Sequence, residues 1–293
     1  MQSDRFELGN DVKTHQNSKR LHKDDCMKKA LVVLSLTATI IVSGSLITSY
    51  LRLEQNKRVD AQEILTTIQH DNQLSIADRI VHTSGIFIGV DYKDNTLTSI
   101  NSEEEVLIKD FNHVDCFTLL DYVASLAFSD SFGQFNKNLK PARYLYGNVD
   151  FLMRRHFFSD WLDNSPFNVQ DVTLDLDSRA VTTVKQINQR TPDGERWIPS
   201  VPIKDKNISF IPREFIDEAL IKELKNGDLI GIYSHKRGLD VSHTGIFVEN
   251  GNRPIFRHAS SLEGKVVDTP MLEYLKNKPG IIVYRFTTHN SSS

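Results

Sequence analysis

Residues 226–286 decide the fold. They read NGDLIGIYSHKRGLDVSHTGIFVENGNRPIFRHASSLEGKVVDTP from 226 to 270 and close on GIIVYRF from 280 to 286. Short runs of β-branched and aromatic residues alternate with Gly, Asn and Pro joints, the pattern of an antiparallel sheet. Two histidines lie inside it. Successive side chains of a strand point to opposite faces, so His243 shares a face with Gly245 and Phe247, while Thr244, Ile246 and Val248 line the other. In the next segment His258 shares a face with Phe256 and Ser260. A hairpin between the two segments makes the histidines neighbours, and Gly245, lacking a side chain, leaves room for a helix to approach His243.

Working outward, the partner of this sheet is Val114-Asp115-Cys116. Leu119, Leu120, Val123, Ala124 and Ala127 follow at helical spacing, Asp115 is suited to cap the helix, and Cys116 becomes its first residue. A thiol there meets the positive end of the helix dipole, which favours thiolate. A helix that begins with Cys and packs on a sheet carrying two histidines supplies a nucleophile, a base and a third group to orient the base.

The chain has 293 residues, 39% hydrophobic and 25% charged, with a formal net charge of -3. That suits one or two globular domains, and with no basic block beyond the N-terminal segment it gives no footprint for nucleic acid. Residues 30–51 carry no charge and are long enough to cross a bilayer as a helix. Lys19, Arg20, Lys23, Lys28 and Lys29 precede them, against Arg52, Lys57 and Arg58 after. The positive-inside bias therefore puts residues 1–29 in the cytoplasm and exports the rest across the inner membrane, anchored in the envelope unless residues 30–51 act as a cleaved signal. A start at Met27 gives the same topology. Residues 52–65 read as a linker, 66–286 as the folded domain and 287–293 as a loose tail. Cys26 falls outside the exported part, so Cys116 has no internal partner for a disulfide.

Between Cys116 and the sheet, residues 148–163 read as a helix whose polar side chains, Arg155, His156 and Asp160 beside Trp161, are candidates for holding an amide, a carboxylate or a sugar face. Asp240 either steers substrate or caps the turn after Gly238. Residues 172–176 and 180–184 read as strands, and residues 213–224 as a short helix after Pro212. The histidines show no HExxH or paired-Cys spacing, so neither a metal nor another cofactor is expected.

The order Val-Asp-Cys, Arg143-Tyr144, Arg-His-Phe-Phe-Ser-Asp-Trp (155–161), Lys-Gln-Ile-Asn (185–188), Gly-Asp-Leu-Ile (227–230), Gly-Leu-Asp-Val-Ser-His-Thr-Gly-Ile (238–246) and His-Ala-Ser (258–260) resembles the AmiA-like family of N-acetylmuramoyl-L-alanine amidases, within the NlpC/P60 superfamily of papain-like cell-wall hydrolases. The resemblance runs from about Ile76 to Phe286. It implies an α+β, papain-like fold with an antiparallel sheet packed on the catalytic helix, and a peptidoglycan muropeptide as substrate. It also implies Cys116 as nucleophile, His243 as base and His258 as the orienting residue, with Tyr144 among the substrate-binding positions. Residues 117–121 depart from the Thr-Thr-Phe-Val-Glu-like run usual after the Cys, and Thr244 stands where Val is usual. Relatives of the same superfamily cut the D-Glu to diamino-acid bond or transfer lipid acyl groups, and a non-catalytic envelope-binding module is the remaining alternative.

Overall fold

The computed structural model describes residue 66 and residues 74–97 and 104–287. The apolar segment 30–51, the cytoplasmic and linker assignments on either side of it and most of the tail lie outside the described residues. Among the described residues no helix is long and apolar enough to cross a membrane.

Among the described residues β1 (Asp91–Tyr92), β2 (His113–Val114), β3 (Val169–Asp171), β4 (Val181–Ile187) and β5 (Lys204–Pro212) join five later strands, β6 to β10, in one sheet of a mixed α+β architecture, in the order β2-β1-β9-β8-β7-β6-β10-β5-β4, with β3 also paired to β10. Its centre is the stretch read first: β6 (Leu229–Tyr233), β7 (Val241–Val248), β8 (Ile255–Ser260), β9 (Lys265–Pro270) and β10 (Gly280–Phe286). All their pairings are antiparallel. β6 is buried throughout because both faces of the sheet are covered, so its residues read as a continuous apolar run. Leu229, Ile246 and Val248 enter one core, with the helices α1 (Ile76–Ile86), α2 (Cys116–Ala127) and α3 (Phe132–Arg143). Ile230, Ile232, Phe247 and Phe256 enter a second core on the other face, with short helices at Glu218–Glu223 and Met271–Leu275.

Helix α2 starts where the Asp115 carboxylate accepts hydrogen bonds from the amides of Phe117 (3.0 Å) and Thr118 (2.7 Å). The Thr118 hydroxyl accepts from the Asp115 amide at 2.9 Å, completing a reciprocal cap. From Thr118 to Ala127 every residue is buried. At roughly 1.5–3 kcal/mol for each large apolar side chain removed from water, this helix is among the strongest contributors to the core. Asp121 is part of that buried surface and accepts from Arg143 Nε at 2.8 Å.

Three local expectations are corrected. Residues 148–163 do not form a helix but two single turns, Phe151–Met153 and Phe158–Leu162. The Asp150 carboxylate takes the Leu152 amide and the Asp160 carboxylate takes the amides of His156 and Phe157. These side chains offer the backbone partners that a continuous helix would have had to supply itself. Residues 172–176 turn into a short helix, Thr173–Leu176, because the Asp171 carboxylate captures the Thr173 amide; the strand precedes them, at β3 (Val169–Asp171). Residues 213–224 break into Arg213–Phe215 and Glu218–Glu223, since Asp217 caps a fresh start. The strand expected at 180–184 is present as β4 (Val181–Ile187).

Candidate active site

The first residue of α2 is docked on β7. The Thr244 hydroxyl donates to the Cys116 carbonyl at 2.8 Å, fixing the half-buried cysteine one residue from His243. The β6–β7 register explains how neighbours on one strand serve different partners. Ile232 pairs with His243 but Tyr233 pairs with Val241, so Ser242 is an extra residue that bends the strand just before the histidine. His243 Nε2 lies 2.9 Å from His258 Nδ1, and His258 Nε2 lies 3.2 Å from the Thr269 hydroxyl. The sequence-derived pairing of the two rings is therefore present, and Thr269 extends it.

Only one proton occupies the bond between the rings. If His258 Nε2–H donates to Thr269, His258 Nδ1 accepts from His243 Nε2–H, which leaves His243 Nδ1 with a free lone pair. Tyr274 closes the cluster: its ring centroid lies 4.8 Å from His258, 6.3 Å from His243 and 4.6 Å from Phe256. Burial, and then the charge that Cys116 would carry, push the Tyr274 hydroxyl up to about 12. Gly245 does not open a path for α2. A Cβ there would stand 2.5 Å from Phe256 Cε2 and 2.6 Å from the Arg257 carbonyl oxygen, so the room is filled by the Phe256 ring beneath the histidines.

At rest the thiol and both imidazoles are uncharged. Burial pushes the Cys116 thiol up to about 11, helped by the Asp115 carboxylate and opposed by hydrogen bonds from Thr244 and from its own amide. Desolvation thus outweighs the helix-dipole preference for thiolate expected from the sequence. The amides of Phe117 and Thr118 are taken by Asp115, so the Cys116 amide is the one at this helix start that faces the sulfur. Burial also holds His243 down at about 3, with the His258 and Lys278 charges adding, and His258 at about 4. Among the described residues the thiol is hydrogen-bonded to neither ring, its polar neighbours being Thr244 and its own amide.

These depressed imidazoles make a stability prediction. An unfolded histidine takes up a proton near pH 6.5 that the folded rings refuse until pH 3–4, so stability falls as pH drops through that window, by about 1.4 kcal/mol for each ring and each pH unit. Asp121, Asp228 and Asp240, raised by burial, act with the opposite sign, but they are common to wild type and variants. Denaturant unfolding at pH 7 and pH 5 is therefore expected to show a smaller acid loss in a His243→Asn, His258→Gln double variant than in wild type. Equal losses would mean the rings are not protected from protonation.

The other candidate site residues are placed elsewhere. Arg155 is buried, its guanidinium donating to the carbonyls of Asp160, Asp163 (2.6 Å) and Asn164 (3.1 Å). Asp160 is buried with Lys206 at 3.0 Å, and Trp161 is in the core. Tyr144 is fully buried and donates to Glu105 Oε1 at 2.6 Å. Asp240 is buried and accepts from the Ser159 amide at 2.6 Å, tying a turn to the start of β7. Arg155, Asp160, Tyr144 and Asp240 thus direct their polar atoms to backbone and internal partners, whereas Trp161 Nε1 is buried with no hydrogen-bond partner among the described residues. His156 is half-buried, with Nε2 on the Phe151 carbonyl at 2.8 Å. Among the described residues no three His, Cys, Asp or Glu side chains gather as a metal cage.

Residues that sequence reading missed are Tyr274, Thr269 and Lys278. Thr269 is brought in by the β8–β9 register, which sets it opposite Phe256, and Tyr274 by the short helix that follows β9. Neither position carries a local motif.

With this geometry in hand, comparison with known proteins is informative. The family model described as AmiA-like, N-acetylmuramoyl-L-alanine amidase-like, matches residues 82–281, a span that includes Cys116, His243, His258 and Tyr274. The chain belongs to the AmiA-like family. Among solved structures, an N-acetylmuramoyl-L-alanine amidase from Bacteroides uniformis is 26% identical, with a TM-score of 0.62 over 73% of this chain and 99% of that one. A Legionella pneumophila protein shares the fold at 24% identity, with a TM-score of 0.66 over 78% of this AmiA-like chain and 94% of the other. No curated protein matches the sequence.

Proposed function

We propose that this AmiA-like protein is a peptidoglycan amidase that hydrolyses the amide between N-acetylmuramic acid and L-Ala with Cys116 as nucleophile. The observation that carries the reading is the capped helix start, docked through Thr244 beside a line of hydrogen-bonded groups, His243, His258 and Thr269. A helix-borne cysteine facing a strand-borne histidine is the arrangement of papain-like enzymes of NlpC/P60 type, and the amidase-named Bacteroides structure supports the same substrate class.

In this mechanism the thiol and the imidazole start neutral. Rotation about the Cys116 Cα–Cβ bond carries the sulfur from Thr244 toward His243 Nδ1, the nitrogen not engaged by His258. His243 takes the thiol proton as sulfur attacks the lactyl carbonyl, and the charge that appears on the ring is shared along the bond to His258. The Cys116 amide, facing the sulfur, is placed to donate to the oxyanion. His243 then protonates the departing L-Ala nitrogen, leaving a thioester on Cys116. Water, deprotonated by the same ring, releases the muramoyl acid and restores the thiol. The charge bias around residues 30–51 supports an exported enzyme held at the inner membrane, where the substrate is found.

The test is mass spectrometry of defined muropeptides after digestion. The amidase reading expects intact stem peptides with a free L-Ala amine and peptide-free muramoyl sugars. Products cut between D-Glu and the diamino acid would replace it with the endopeptidase reading.

A further inference from the structure

One cation at this site is held by an aromatic ring rather than by a carboxylate. Lys278 is half-buried, and its ammonium sits 4.7 Å from the centroid of the Tyr274 ring, the ring that borders both histidines. Among the described residues it forms no ion pair. The carboxylate whose charge reaches His258, Asp268, is already held on both oxygens by Arg257, at 2.7 and 2.9 Å. A positive charge near the imidazoles works against the proton transfer they are arranged for, since it disfavours the imidazolium, and both rings are held down in part by Lys278. The aromatic face alone offsets little of a partly desolvated ammonium, about 0.5–2 kcal/mol. What would neutralise Lys278, and remove its drag on the histidines, is an anion that arrives with the substrate.

We infer that Lys278 is a specificity-determining residue that binds a free carboxylate of the peptidoglycan stem peptide, on the leaving-amine side of the scissile bond. This rests on the amidase reading above. The distances suit it. The Lys278 ammonium and the His258 ring lie 4.7 and 4.8 Å from the Tyr274 centroid, and a carboxylate two residues along an extended peptide lies about 7 Å from the scissile amide. In a stem that begins L-Ala-D-Glu, the carboxylate at that position is the free one of D-Glu. The pairing would be worth about ten- to a hundredfold in affinity, the usual range for a hydrogen bond between charged groups.

The test compares two muropeptides that differ only in whether this D-Glu group is a carboxylate or a carboxamide, with wild type, Lys278→Gln and Lys278→Arg. Wild type is expected to prefer the carboxylate by about ten- to a hundredfold in kcat/KM. Lys278→Gln should lose that preference and cleave the carboxamide substrate at least as fast as wild type, since the drag on the histidines goes with the charge, and Lys278→Arg should keep the preference. A wild type indifferent to the change overturns the assignment whatever the variants do. Equal losses on both substrates in Lys278→Gln also overturn it, leaving Lys278 only as a support for Tyr274. If wild type cleaves neither substrate at the muramoyl bond, the amidase reading fails and takes the carboxylate assignment with it.

Discussion

Replacing Cys116 with Ala is expected to lower turnover by at least about a thousandfold while leaving the thermal midpoint nearly unchanged. Nucleophile and base act as a unit, so removing one member forfeits most of what the constellation contributes. The structural reason for an intact fold is specific. Helix α2 is fixed by the Asp115 and Thr118 cap and by the Thr244 hydroxyl on the Cys116 carbonyl, and all of these survive the loss of a side-chain sulfur. The lost packing is about one methylene's worth, roughly 0.8 kcal/mol. Residual turnover above about one-tenth of wild type, with the midpoint preserved, would remove Cys116 from the mechanism. The raised thiol adds a second reading from the same protein. With a pKa of about 11, alkylation of wild-type Cys116 should rise close to tenfold per pH unit between pH 7 and 10 and stay slower than that of a free thiol at pH 7.

Separating the two histidines produces the other large effect. His243→Ala removes the group that accepts the thiol proton and later protonates the amine, so it is expected to fall to the level of Cys116→Ala. His258→Gln keeps an acceptor for His243 Nε2–H and a donor for Thr269, and is expected to retain measurable turnover, about one-hundredth to one-tenth of wild type. Its pH profile has a sign. The His258 charge is one of the causes that hold His243 down, so in His258→Gln the His243 value rises and the acid limb of kcat/KM moves to higher pH. A His258→Gln variant as inactive as His243→Ala, or an acid limb that moves the other way, would mean that the two rings have exchanged roles.

The parts of the site legible in the sequence are those set by short-range rules. Asp115 before a helical apolar pattern marks where α2 starts, and period-two alternation in two adjacent apolar runs is enough to bring His243 and His258 together. The protonation state was not legible, because helix position argues for thiolate and only the packed environment reveals the desolvation that overrides it. Residues 148–163 mislead for a related reason. Their aromatic and leucine spacing suits a helix, yet Asp150, Asp160 and the Arg155 guanidinium compete for the same backbone groups once the chain folds around them. Arg155, Asp160 and Trp161 are all buried in the chain that folds this way. Tyr274, Thr269 and Lys278 could not be found by pattern, since each reaches the histidines only through the β8–β9 register and the helix at Met271–Leu275.

The measurement that bears most directly on this account is the mass of the covalent intermediate. Wild-type protein mixed with a muropeptide and quenched in acid should carry, on the peptide that contains Cys116, an adduct equal to the muramoyl sugar acid less one water. This is the thioester left when the L-Ala amine departs. An adduct that retains L-Ala and D-Glu, or one found on any other residue, would contradict it.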